Sequence, residues 1–396
     1  AEEGFYRGFS RHVTITSKLL VFALVLWAVA FPKQAAAVLT GLNRLILATF
    51  ATWYMASLAL FFVASVALAL WPKASRIRLG REGDRPEFSR FSWFSMMFGA
   101  GIGMGMLTYA AAEPLAHLQN SPEIIRGVAE PLSVDAARSA LMWSFFHWGF
   151  SAWATYGICG LALAFFAHRR GLPLTIRSSL AALFGERLSG RLGHTFDVVA
   201  VVATVLGVAQ TLGYGVEQFV AGLGRLGLGE WLFTERGDGA VSASAAAIVL
   251  SLTVIVGAST LSALSGVGKG IKWLSNLNLG LSFLLLAFFL FFGSTAFALQ
   301  SFALGLWDYV TALPFIMVDV YSEAEGKAAQ WQGDWTIFYW AWWISFAPFV
   351  GLFLGRISKG RTIREFILGA ILAPSAMCFV WFTLVGATAI DVELTG

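Results

Sequence analysis

The chain has two cysteines, five histidines and little charge: Lys, Arg, Asp and Glu together make 13% of its 396 residues. Cys159 and Cys378 fall inside apolar stretches, where a small packing role suits them, and no Cys/His pattern has zinc-ligand spacing. No nucleophile with a convergent base and no metal set stands out, so an intramembrane enzyme lacks its constellation. Nor is there a polar interval large enough to fold as a soluble domain; the longest, residues 321–334, reads as a short acidic loop. A signal peptide is not needed to explain the N-terminus.

What is present is apolar length. The chain is 58% hydrophobic with a mean hydropathy of +0.72, and runs such as 45–71 exceed the roughly 20 residues that cross a bilayer. An all-α polytopic membrane protein is expected, with spans near 17–38, 45–71, 91–117, 138–167, 195–221, 241–262, 273–303, 334–355 and 363–389. Lys and Arg gather at alternate ends, in residues 7–18, 73–90, 169–191, 269–272 and 356–364. Positive loops stay on the cytoplasmic side, so the N-terminus is expected inside and residues 391–396 outside a plasma membrane. The pI near 9.1 is thus a topology signal, and a nucleic-acid partner has little support.

Gly99, Gly101, Gly103 and Gly105 alternate inside the third span. Each glycine weakens a helix by about 1 kcal/mol and uncovers peptide groups, which in a membrane must line a cavity. One glycine pair would fit small-residue helix packing; four at alternate positions point to a flexible segment that a ligand approaches. Glu113-Pro114 closes this span and reads as a polar boundary. The eighth span carries Trp340-Ala341-Trp342-Trp343 and Pro348, and is expected to be a second broken helix, five spans after the first. An odd offset inverts a repeat. The chain then divides into 1–90, with two peripheral helices and a connector; 91–303, a first five-helix unit; and 304–396, a connection and the first two helices of a second. Three helices of that second unit are expected to be missing, as in a fragment, a truncated product or part of a longer protein.

On a helix at 100° per residue, Tyr156 lies about 60° from Trp153 and about 80° from Trp148, giving the fourth span an aromatic face. Trp340 and Trp343 share a face of the eighth span, and Trp342 and Phe346 another. Ring faces suit a quaternary ammonium, which has no hydrogen to donate, at about 0.5 to 2 kcal/mol per ring. Interfacial belts or lipid packing are the alternative use of such rings. His147, in the same segment, reads as a hydrogen-bonded structural histidine.

Several motifs carry a family resemblance: Ile77-Arg78-Leu79-Gly80, Pro86-Glu87-Phe88-Ser89, Ser92 to Phe98 with the glycines after it, Ala112-Glu113-Pro114, Trp335 to Ser345, and Arg361 to Phe366. Across nearly the whole chain the sequence resembles the betaine/choline/carnitine transporter family. The resemblance implies twelve helices, a LeuT-type inverted repeat, a homotrimer and an onium substrate. It implies a substrate box of Trp148, Trp153, Tyr156 and Trp343 with Ile102 and Gly103, and a path along Trp340, Trp342, Phe346 and Thr108. Phe346 stands where the family commonly has tryptophan. Glycine at 105, where proton-coupled choline carriers tend to have aspartate, resembles the sodium-coupled betaine type. The implied sodium ligands are Gly99 and Ile102, with a second set at Thr204 and Phe349 in which Val208 replaces a hydroxyl. No Lys or Arg in the middle of the third, fifth or eighth span could substitute for sodium. The expectation is a secondary transporter importing a betaine-like compound with sodium, with no cofactor. Proton-coupled or exchange carriage of choline or carnitine is the alternative, and an ion channel, which would need a continuous pore, is the non-transporter one.

Overall fold

Proline decides the first break in the helical chain. In the computed structural model, which describes residues 9–101, 103–185, 188, 190–235 and 241–396, α1 spans Arg11–Ala30 and α2 spans Pro32–Leu70. Pro32 opens α2 and forces the preceding Phe31 out of helical geometry, to φ −133° and ψ 61°. The expected spans 17–38 and 45–71 both shift accordingly, since 17–38 straddles this break.

The alternating glycines do interrupt the third span. α3, Arg90–Gly101, stops, and α4, Met104–Gln119, begins after Gly103, whose backbone lies at φ −124° and ψ −137°. A one-turn α5, Pro122–Ile125, follows. The fourth span is also broken, which the sequence reading did not anticipate. α6, Val134–Trp148, and α7, Phe150–Ala164, meet at Gly149, where φ is −96° and ψ −145°. A Cβ there would stand 2.3 Å from the Phe145 carbonyl oxygen and 2.7 Å from the Tyr309 hydroxyl, so the bend requires glycine. That hydroxyl accepts the Phe150 N–H at 3.0 Å and caps α7, satisfying a donor that a helix start leaves open.

Short turns α8, Ile176–Ser179, and α9, Ala181–Phe184, lead to the long α10, Arg191–Arg225. An antiparallel pair, β1 (Phe233–Glu235) and β2 (Val241–Ala243), sets Thr234 opposite Ser242 before α11, Ala245–Leu264. α12 covers Lys272–Phe292, so the expected span 273–303 ends early. Gly293 and Ser294 divide it from α13, Thr295–Ile316; the Ser294 N–H donates to Thr388 Oγ1 at 3.3 Å. α13 packs on α6, to which Arg138 and Asp308 tie it.

The interval 321–334 is a loop only in its first part: residues 321–326 are irregular or turn, and the chain is helical from Lys327. α14, Lys327–Gln332, passes through a wide turn at Gly333–Ile337 into α15, Phe338–Ile357. α15 continues through Pro348, so the eighth span is not broken there: a proline inside a helix removes one hydrogen bond without ending the helix. α16, Ile363–Trp381, leads by another wide turn to α17, Ala387–Thr395.

Eight helical stretches among the described residues are long and apolar enough to cross a membrane, and the glycine-broken 91–117 region adds two shorter helices. The chain is a multi-pass, all-α membrane protein. Its core is densest where α7 meets α15. A Cβ on Gly160 would lie 3.1 Å from Leu354 Cβ, and one on Gly351 would lie 3.1 Å from the Gly160 nitrogen, so the two backbones touch. The basic connectors converge at one end. Arg78 Nη1 donates to the Gly360 carbonyl at 2.7 Å, the Leu79 N–H to the Arg361 carbonyl at 2.8 Å, and Arg169 Nη1 to the Arg78 carbonyl at 3.3 Å. Arg361 also lies over the Trp93 ring at 4.4 Å, and Trp93 donates to Ser358 Oγ at 2.9 Å.

Candidate functional site

The bend at Gly149 and the seam between α7 and α15 bring four rings together. Ring centroids of Trp343 lie 5.9 Å from Trp148, 5.3 Å from Trp153 and 4.7 Å from Tyr156. The angles expected for a continuous fourth helix do not apply across residue 149: Trp148 ends one helix and Trp153 sits in the first turns of the next. Trp148, Tyr156 and Trp343 line a cavity of about 400 Å³ together with Tyr339, Trp342 and Phe346, and Gly99, Gly103 and Gly105 form part of its wall. Among the described residues its lining has no charged side chain. A Cβ on Gly105 would meet Trp342 at 3.2 Å and Trp148 at 3.4 Å, so glycine here keeps the chamber open.

Behind the rings lies a group whose role the sequence reading missed. Glu113 is wholly buried, not at a polar boundary. Its Oε1 lies 2.7 Å from His147 Nδ1 and 3.3 Å from His117 Nε2, within hydrogen-bond reach of both. Its Oε2 accepts from the Tyr339 hydroxyl at 2.6 Å and from Trp148 Nε1 at 2.8 Å. Indole can only donate. With both histidine nitrogens as donors, these four partners suit an ionised carboxylate. His147 Nε2 pairs with Thr336 Oγ1 at 2.9 Å, and its carbonyl accepts from Trp343 Nε1 at 3.1 Å. One network therefore fixes Trp148, Tyr339 and Trp343. The available signal was an ionisable residue inside an apolar run with histidine four positions on.

The remaining expected residues divide. Trp153 is completely buried behind Trp343 and Tyr156, in a second layer that does not line the chamber. Trp340 turns away from it: its Nε1 lies 2.9 Å from Met55 Sδ and its ring meets Phe146 edge to face at 5.0 Å. It packs against α2 and is not part of this chamber's lining. Trp342 and Phe346 line the chamber, 6.3 Å apart. Thr108 is outside the lining and accepts from Gln218 Nε2 at 2.7 Å. Ile102 lies outside the described residues.

For a cation, the break after α3 leaves its last carbonyls without donors from their own helix, next to Gly99. Thr204 Oγ1 donates to the Ala200 carbonyl at 2.7 Å, leaving its lone pairs free to accept a cation, and Val208 lines the chamber wall. Thr204 and Phe349 line a second, larger cavity of about 860 Å³ among α1, α10 and α15; Phe349 also lines the aromatic chamber. The larger space is mostly apolar, and the rings converge on the smaller one. Glu113, His117 and His147 hold ligand-type atoms within 4.8 Å of one another, and His117 Nδ1 has no hydrogen-bond partner among the described residues. A metal there would have to displace donors from a carboxylate whose acceptor positions are filled, so the cluster reads as a hydrogen-bond network.

With this geometry in hand, comparison with known proteins is direct. Residues 12–396 match the betaine/carnitine/choline family transporter pattern. An uncharacterized transporter of Mycobacterium tuberculosis is 41% identical over 382 residues, covering 96% of this chain and 61% of that protein. The high-affinity choline transport protein of Escherichia coli K12 is 40% identical over 342 residues, 86% of this chain and 48% of that protein. The glycine betaine transporter OpuD of Bacillus subtilis is 38% identical over 375 residues, 94% of this chain and 70% of that protein. The chain thus spans about half to two thirds of the length of these relatives. Matched along almost all of its own length, and not an enzyme, the chain belongs to the betaine/carnitine/choline transporter family.

Proposed function

We propose that the protein is a secondary transporter that imports a quaternary-ammonium or related onium compound of the betaine type. The observation that carries this reading is the uncharged chamber walled by Trp148, Tyr156, Tyr339, Trp342, Trp343 and Phe346. Its volume falls within the range of small-molecule sites. A methylated onium head presents no hydrogen-bond donors, and ring faces answer it with about 0.5 to 2 kcal/mol each once water is excluded.

The coupling ion in this reading is sodium. Carbonyls freed at the break after α3 and the hydroxyl of Thr204 offer uncharged oxygens to a hard cation, and position 105 itself carries no carboxylate. Sodium and solute stabilise the same occluded conformation, so each raises the other's affinity. A LeuT-type inverted repeat, a homotrimer, and a plasma-membrane location with a cytoplasmic N-terminus complete the proposal. The convergence of the basic connectors at one end supports that orientation.

The test is uptake of labelled betaine and choline by proteoliposomes of the full-length protein, with sodium and pH gradients imposed separately. Uptake driven by sodium and lost in Trp343→Ala is the expected result. Activity indifferent to sodium rejects the coupling ion, and undiminished binding in Trp343→Ala rejects the site.

A further inference from the structure

We infer that Glu113 is the buried counter-charge of the transported onium ion, acting through the rings that separate it from the chamber. The inference rests on the proposed onium chamber and adds a residue that sets its preference for charge. Glu113 is completely buried, and among the described residues the only basic side chains that pair with it are His117 and His147, with no Lys or Arg. A carboxylate so placed is costly to bury, and hydrogen bonds alone compensate it in part.

Two of its four donors belong to the chamber wall. The Trp148 indole N–H and the Tyr339 hydroxyl both point at Oε2, and both rings line the cavity. A hydrogen bond to an anion pushes electron density into the donor's ring, and bonds in a buried network polarise one another. The indole and phenol faces thereby become better partners for a cation, and the carboxylate adds its own through-space attraction in a poorly screened interior. An onium ion in the chamber thus meets the negative charge that the uncharged lining lacks. His147 ties the third ring, since Trp343 donates to its carbonyl. The same network would serve as a mere scaffold if the charge did not matter, and the two roles separate by ligand.

The experiment measures the affinity of the full-length protein for choline and for 3,3-dimethylbutan-1-ol, in which a neutral carbon replaces the ammonium nitrogen. Glu113→Gln keeps the volume. Its carbonyl can accept from Trp148 and Tyr339, while its amide donates to His147 once that ring's proton moves to Nε2 and faces Thr336. Glu113→Gln is expected to weaken choline about tenfold or more while changing the neutral isostere less than twofold. Should that variant fail to fold, His117→Lys leaves the carboxylate and its ring bonds in place and cancels its charge from the i+4 position; the same selective loss is expected. Equal losses for both ligands, or no loss for choline, overturn the inference. Wild-type protein that binds neither ligand instead overturns the onium chamber itself.

Discussion

Substitution of Gly351 tests the seam on which the aromatic chamber stands. A Cβ at this position would lie 2.7 Å from Cys159 Sγ, 3.1 Å from Cys159 Cβ and 3.1 Å from the Gly160 nitrogen. Carbon contacts are comfortable at about 3.5 to 4.0 Å, so α7 and α15 must part by about half an ångström. Forcing extra volume into a packed core costs about 1 to 3 kcal/mol. Alanine also recovers about 1 kcal/mol of helix propensity, which hides part of that loss. Gly257, inside α11, has nothing within 4 Å of its virtual Cβ, so Gly257→Ala receives the propensity gain alone. The difference between the two variants therefore isolates the overpacking, about 1 to 3 kcal/mol.

The assay is the temperature at which half the monodisperse protein is lost in detergent. Gly351→Ala is expected below wild type, and Gly257→Ala at or above it. Onium affinity should fall only in the first, because the seam sets the 4.7 Å spacing between Tyr156 and Trp343. Adding Cys159→Ala removes the Sγ contact but not the two at 3.1 Å, so it restores part of the stability. Equal stability of Gly351→Ala and Gly257→Ala would refute the reasoning.

Two further outcomes follow from other contacts. Tyr309→Phe deletes the acceptor of the Phe150 N–H at the bend, leaving a buried donor unpaired at a cost of about 1 to 3 kcal/mol; a lower thermal midpoint with weaker onium binding is expected, and an unchanged midpoint counts against the cap. Outside the membrane, the hydrogen bond from Arg126 at 2.7 Å, and then the Ser322 N–H, hold the Glu325 carboxyl below its usual range. A depressed carboxylate stabilises above its unfolded pKa and releases as pH falls through its folded one. Limited proteolysis near residues 321–326 should thus be faster in acid than at pH 7, and Arg126→Gln should narrow the difference while the Ser322 N–H remains.

Much of this architecture can be read from pattern because a bilayer leaves few choices. Apolar runs must be helices, and four alternating glycines must interrupt one. The limits are equally physical. Pro32 starts a helix whereas Pro348 sits inside one, and their local sequences do not separate those uses without the surrounding packing. Gly149 is a single glycine among aromatics, and only its proximity to the Phe145 carbonyl and Tyr309 reveals a bend. Trp340 and Trp343 lie about 60° apart on a helical wheel, yet one meets Met55 and the other the chamber, because α2 and α7 occupy different sides of α15. Glu113 takes its meaning from four donors on two other helices and its own, a set dispersed from residue 117 to residue 339.

Phe349 faces two spaces at once, the aromatic chamber on one side and the apolar recess beneath α1 on the other. Whatever fills the recess, whether an acyl tail or a detergent chain, presses on the same phenyl that bounds the solute. The width available to the cargo is then partly a property of its hydrocarbon surroundings, and affinities measured in different amphiphiles need not describe the same pocket.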